Sequence, residues 1–198
     1  MSFLELSSDI GLIATVLLTL NILLGMMLGT AYKRHTYWKK LPAYIKRISV
    51  ATLHNWVAYV ALLLVLLHAV FLLFDADTKF RLIDIVFPIH APHQALFVAV
   101  GTLAMYALFT VIITTQRAIR KQLSFRTWKN IHLISYGTAI LFVVHGVVLD
   151  PQLKDRPVDF FDAEKVLSEL CGVALIAATV LRYQYYVRVR KVKSKSFL

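Results

Sequence analysis

Five stretches of this chain are each long and apolar enough to cross a bilayer as a helix, and that leaves few folds open. A span needs about 20 mostly apolar residues at about 1.5 Å of rise each. The stretches lie at about 9–31, 50–74, 93–115, 130–149 and 165–186. In hydrocarbon every backbone N–H and C=O must find a partner inside the protein, so runs of this length predict helices. The expected fold class is all-α: a polytopic membrane helical bundle of about five transmembrane helices. The 198 residues, 59% of them hydrophobic, suit a single transmembrane domain over 1–198 with no room for a second soluble one.

The N-terminus opens on Glu5 and Asp9, has no basic leader and runs into an apolar block too long for a secretory signal, so it reads as a true span. Cys171 is the one cysteine, which excludes a disulfide framework and leaves it a packing role. Gly25 and Gly29 form a GxxxG on the first span and read as generic helix packing.

The formal net charge of +11 raises nucleic acid as a partner, and its placement removes it. Lys33, Arg34, Lys39, Lys40, Lys46 and Arg47 lie in the first connection. Arg117, Arg120, Lys121, Arg126 and Lys129 lie in the third, Arg182 lies near the end of the last span, and Arg188 and the run to Lys195 follow it. In a five-span chain these segments share one side. The 11 acids fall towards the other: ten in the N-terminus, the 75–91 loop and the 150–165 loop, and Glu169 at the start of the fifth span. The positive-inside rule then predicts an external N-terminus and a cytoplasmic C-terminus. The basic residues serve topology and contact with anionic lipid of the bilayer; no nucleic acid partner is expected.

Seven histidines are present, and four lie inside spans. His54 and His68 are 14 residues apart on the second span; His132 and His145 are 13 apart on the fourth. Ionisable residues within a bilayer are expensive and mark function. Fourteen residues of helix rise about 21 Å, and the two spans run in the same direction. His54 and His132 therefore share an inner level, and His68 and His145 an outer one. Two neutral imidazoles facing each other across a bundle suit the axial positions of a haem iron. A zinc or copper ion wants three or four ligands and gives no reason for two sites so far apart. His54 and His68 fall about 40° apart around their helix, but His132 and His145 about 140°. Either Gly137 lets the fourth span tighten or bend, or the two macrocycles are offset. Ala58 and Ala61 leave room for a macrocycle or serve close helix packing.

The stretches LHNWVAYVALLLVLLHAVF (53–71) and FRTWKNIHLISYGTAILFVVHG (125–146) resemble the ferric reductase-like transmembrane domain, the di-haem membrane core of NADPH oxidases and ferric-chelate reductases. The likeness covers about 50–185. It implies two haem b groups, with the iron of the inner one on His54 and His132 and that of the outer one on His68 and His145. Arg47, Arg126, Lys129 and Arg182 border the inner level, where they suit haem propionates. Larger relatives carry six spans and a flavin and NADPH module; here five spans are counted and no Gly-rich nucleotide fingerprint is present. A stand-alone bacterial-type member in the inner (plasma) membrane is implied, with a separate flavoprotein reductase or a quinol as electron donor. The acceptor is a ferric chelate or an external protein.

With both axial positions filled, no residue is assigned a catalytic role. The expected function is electron carriage across the membrane, with two rivals: a haem-bearing subunit relaying electrons to a partner's active site, and a haem-free scaffold. His90 and His93 flank Pro92 at the external mouth, as a metal or acceptor site or as ordinary loop residues. His35 reads as solvated. Trp56, Tyr59, Tyr136 and Phe142 either line the haems or pack the core.

Overall fold

The computed structural model describes residues 2–154 and 160–195, and within these it is a polytopic helical bundle. Five helices are long and apolar enough to span a membrane. They are α1 (Phe3–Leu28), α2 (Val50–Phe71), α3 (Ala95–Thr115), α4 (Phe125–Val148) and α5 (Ala163–Lys195). Part of the acidic 150–165 loop, 155–159, and the side chains of the basic residues from Arg190 to Lys195 lie outside the described residues.

Three spans begin on a serine whose hydroxyl accepts the N–H three residues on: Ser2 from Glu5, Ser49 from Thr52 and Ser124 from Thr127. Such a cap satisfies one of the orphan donors of the first turn. At Ser2 the Glu5 carboxylate also accepts the Ser2 N–H at 2.8 Å, closing a capping box. These caps explain why α1 and α4 start before the purely apolar stretches do. Helix α1 begins at Phe3 rather than near residue 9, and α4 takes in the polar turn Phe125–Lys129.

Consecutive spans alternate in direction, as cross-links at matching heights show. Asp75, past the end of α2, accepts the Leu4 N–H at the start of α1 at 3.0 Å. At the opposite end, Arg182 of α5 donates to the Met26 carbonyl of α1 at 2.9 Å. The connections thus fall into a basic end and an acidic end of the bundle. Helix α2 packs on α1, α4 on α3, and α5 lies across α1 and α4. Between the ends, Ala14 and Leu18 (α1), Ala61 and Val65 (α2), Ala104 and Met105 (α3) and Phe142 (α4) form a hydrophobic core. Ala61 is fully buried there, so its small side chain serves close packing. Much of the remaining apolar surface faces outward, as a lipid-facing bundle requires.

Helix α4 is continuous through Gly137, which is exposed and has open space where a Cβ would stand. No break in the helix there brings its two histidines round.

Candidate functional site

Helices α2 and α4 carry the four spanning histidines, yet the bundle does not pack these two helices on each other. The space between them receives an imidazole from each side at two depths. At the basic end the ring centroids of His54 and His132 are 6.2 Å apart, with planes inclined at 71°. At the acidic end His68 and His145 are also 6.2 Å apart, inclined at 80°.

Three of the four rings are held in one way. Nδ1 of His54 is 3.0 Å from the Asn21 carbonyl, Nδ1 of His68 is 2.7 Å from the Ser7 carbonyl, and Nδ1 of His145 is 2.9 Å from the Phe97 carbonyl. A carbonyl only accepts, so each Nδ1 carries the proton and Nε2 keeps its lone pair. That is the tautomer a metal-ligating imidazole needs, with the outer hydrogen bond fixing its orientation. Four residues past each of these carbonyls stands a glycine: Gly25, Gly11 and Gly101. In an α-helix the carbonyl at i−4 lies beside residue i, so a missing side chain at i lets a ring lie flat and reach that oxygen. A Cβ would come to 3.2 Å from the His54 ring, 2.8 Å from the His68 ring and 2.6 Å from the His145 ring. Ser7, 1% exposed, adds its hydroxyl, which donates to the His68 carbonyl at 2.8 Å and lies 3.0 Å from Nδ1.

His132 is the exception. Its Nδ1 is buried with no hydrogen-bond partner among the described residues. Its ring is instead stacked on Trp128, centroids 5.2 Å apart and planes within 20°. The Arg120 guanidinium lies over the Trp128 ring, 4.7 Å from its centroid, a cation–π contact.

Around the acidic-end pair lies an apolar cavity with about 1170 Å³ of empty space, its open mouth included. Gly11, Val65, Met105, Phe142 and Ser168 contribute to its wall.

Of the basic residues singled out from the sequence, Arg182 is the best placed. Its guanidinium lies on Gly29, where a Cβ would stand 2.5 Å away, and it donates to the Met26 carbonyl at the end of α1, which also accepts the Gly29 N–H at 3.2 Å. Arg47, Arg126 and Lys129 are exposed, and their side chains make no hydrogen bond or ion pair among the described residues. Trp56 and Tyr59 are exposed, at 65% and 43%; the Tyr59 hydroxyl accepts from Gln116 at 3.1 Å. His90 is exposed in the Pro88–His90 turn, and His93 lies 6.5 Å from the Phe80 ring. Among the described residues no three His, Cys, Asp or Glu side chains converge on a metal position. The imidazole pairs are therefore the donor sets to consider.

Reading residue by residue along the chain missed Ser7, Gly11, Asn21 and Gly101 and took Gly25 as generic packing. One signal was available: Gly11 and Gly25 are 14 residues apart, the same interval as His54 and His68.

Five apolar helices with paired imidazoles at two depths define a polytopic integral membrane protein. The family described as Ferric reductase like transmembrane component matches residues 10–143, and the chain belongs to it. The match contains His54, His68 and His132 and stops two residues short of His145. Membership supports a role in membrane electron transfer. No curated protein and no solved structure matches the chain.

Proposed function

We propose that the chain is a di-haem b membrane cytochrome, with His54 and His132 holding one haem and His68 and His145 the other. The observation that carries this reading is the equal 6.2 Å separation of both imidazole pairs. A metal–imidazole nitrogen bond is about 2.0 Å and that nitrogen sits about 1 Å from its ring centre, so two rings on opposite sides of one metal have centroids about 6 Å apart. The tautomers agree with it: three of the four rings carry their proton on Nδ1 and offer Nε2.

Held by the His54–His132 and His68–His145 pairs, haem b would supply one-electron iron chemistry. The chain's own residues do the rest. The carbonyls of Asn21, Ser7 and Phe97 orient three ligands and raise their basicity. The core around Leu18, Ala61 and Phe142 keeps water out of the region between the two levels. Arg182 keeps guanidinium N–H groups beyond the one bound to Met26, and these suit a propionate at the basic end. Arg47, Arg126 and Lys129 belong to the same basic surface.

The positive-inside rule puts that basic end in the cytoplasm. Electrons then enter there from a flavoprotein or a quinol and leave at the acidic end to a ferric chelate or an external protein. Purified protein in vesicles with trapped ferricyanide, supplied with a reduced flavin donor outside, tests this. Reduction of the trapped acceptor that disappears in His54→Ala is the expected result. A chain that is reduced but passes nothing to the trapped acceptor would instead be a relay subunit of a larger complex. A folded chain with no Soret band would be a scaffold.

A further inference from the structure

We infer that residues 80–93, between α2 and α3, form a re-entrant element that dips into the leaflet at the acidic end and is covered by lipid acyl chains. The evidence is one of depth. Helix α3 has 21 residues, a length of about 31 Å, which only just spans a hydrocarbon core of about 30 Å. Its first turn therefore has to stand at the membrane boundary, with no turn to spare outside.

The segment reaches well below that turn. At its top, the Phe80 ring lies 6.5 Å from that of His93, beside the start of α3. At its bottom, Thr102 donates its hydroxyl to the Ile85 carbonyl at 3.0 Å, and Tyr106 donates to the Val86 carbonyl at 2.7 Å. Thr102 is seven residues below Ala95, about 10 Å down the helix. Tyr106 is a further turn down, and its side chain leans back towards the N-terminus, which brings its hydroxyl to a similar height. The chain thus descends through the short helix Leu82–Val86 and returns through the turn Pro88–His90.

The backbone is equipped for such a place. Irregular chain at membrane depth requires internal partners for its polar groups. Asp84 N–H donates to the Arg81 carbonyl at 2.9 Å, Phe87 N–H to Ile83 at 2.7 Å, and Ala91 N–H to Pro88 at 3.4 Å. The carbonyls of Ile85 and Val86, left over at the end of a short helix, are those taken by Thr102 and Tyr106. The Asp84 carboxylate is buried and accepts the Arg81 N–H at 2.9 Å and its Nε at 3.3 Å. Arg81 is next to Phe80 at the top, and its long exposed side chain can extend to the headgroups.

The side chains divide by face. Phe80 and Ile85 are buried, 5% and 9% exposed, and line the cavity at the His68–His145 pair. Leu82, Ile83, Phe87 and Ile89 are 65%, 52%, 62% and 77% exposed. In water that would be a costly patch; at this depth it faces hydrocarbon. One layer of residues then separates the cavity from the acyl chains. This inference rests on the spans alone and stands or falls independently of haem.

Nitroxide labels at Leu82→Cys, Phe87→Cys and Ile89→Cys, in a Cys171→Ala background in vesicles, test it by collision with oxygen and with an aqueous nickel chelate. Asp77→Cys in the preceding loop is the aqueous reference. The expected result is an oxygen-to-chelate ratio several-fold above the reference at all three sites, greatest at Phe87. Adding Thr102→Val and Tyr106→Phe together should move the Phe87 ratio towards the reference. Chelate access at Leu82 and Phe87 equal to that at Asp77 would overturn the inference. So would shielding from both reagents, which would mean a second copy or a partner protein covers the face.

Discussion

On the di-haem reading, His145→Ala is expected to leave one haem per chain in place of two, the one remaining being that at the His54–His132 level. The substitution would take away one of the two imidazoles proposed to hold that haem, so retention should fall by far more than a neutral surface substitution would cause. His68→Ala gives the same loss, because it removes the other half of the same pair. The double variant within that level adds little to either single one, since partners in one site are not independent. His68→Ala combined with His132→Ala removes both haems. Transfer across the membrane stops when either level is damaged, because the 14 residues between His54 and His68 leave a gap of about 21 Å with no relay. Haem content by absorbance against protein concentration checks each case. If His54→Ala spares the haem held by His132 and disturbs the one held by His145, the pairing is wrong.

Gly101→Val has an effect of the same order without touching a ligand. A Cβ at Gly101 would stand 2.6 Å from Cε1 of His145, and the ring has no retreat because its Nδ1 is tied to the Phe97 carbonyl. Overpacking of this kind costs about 1–3 kcal/mol where neighbours can yield, and here the group that must yield is the ligand. On the di-haem reading, loss of haem at the acidic-end level with retention at the basic-end level is the expected result. Gly11→Val acts alike through His68, where the Cβ would be 2.8 Å from Nδ1. Gly25→Ala is milder, at 3.2 Å from the His54 ring, and Gly137→Ala is neutral, with nothing within 4 Å. The graded order Gly101, Gly11, Gly25, Gly137, read as haem retained per chain, checks the seats; an equal effect at Gly101 and Gly137 would contradict them.

The spans were legible because hydrocarbon leaves a chain little choice: five long apolar runs had to be helices. The levels were legible because the helix rise converts the His54–His68 and His132–His145 intervals into depth. The faces were not. In a bilayer the outside of a helix is as apolar as its inside, so hydrophobic periodicity does not tell which side of α3 or α4 packs. That is why Trp56 and Tyr59 were entertained as cofactor neighbours although they are exposed; the 140° between His132 and His145 came from the helix angle, and α4 meets it without a break at Gly137. The glycine seats were half legible. Gly25 was noticed for its GxxxG, but its use appears only when His54 is seen lying on it. The segment 80–93 gave no membrane signal in the sequence, since its apolar residues are broken into short runs by Arg81, Asp84 and Pro88, and what ties it to α3 is two hydroxyls that follow no sequence pattern, those of Thr102 and Tyr106.

A pyridine haemochrome determination on the purified chain, set against an independent protein determination, tests the central claim most directly. Two b-type haems per chain, falling to one in His145→Ala, is the result expected from two imidazole pairs of equal separation. A value of one in the unaltered chain, or of zero with the helices intact, would contradict it.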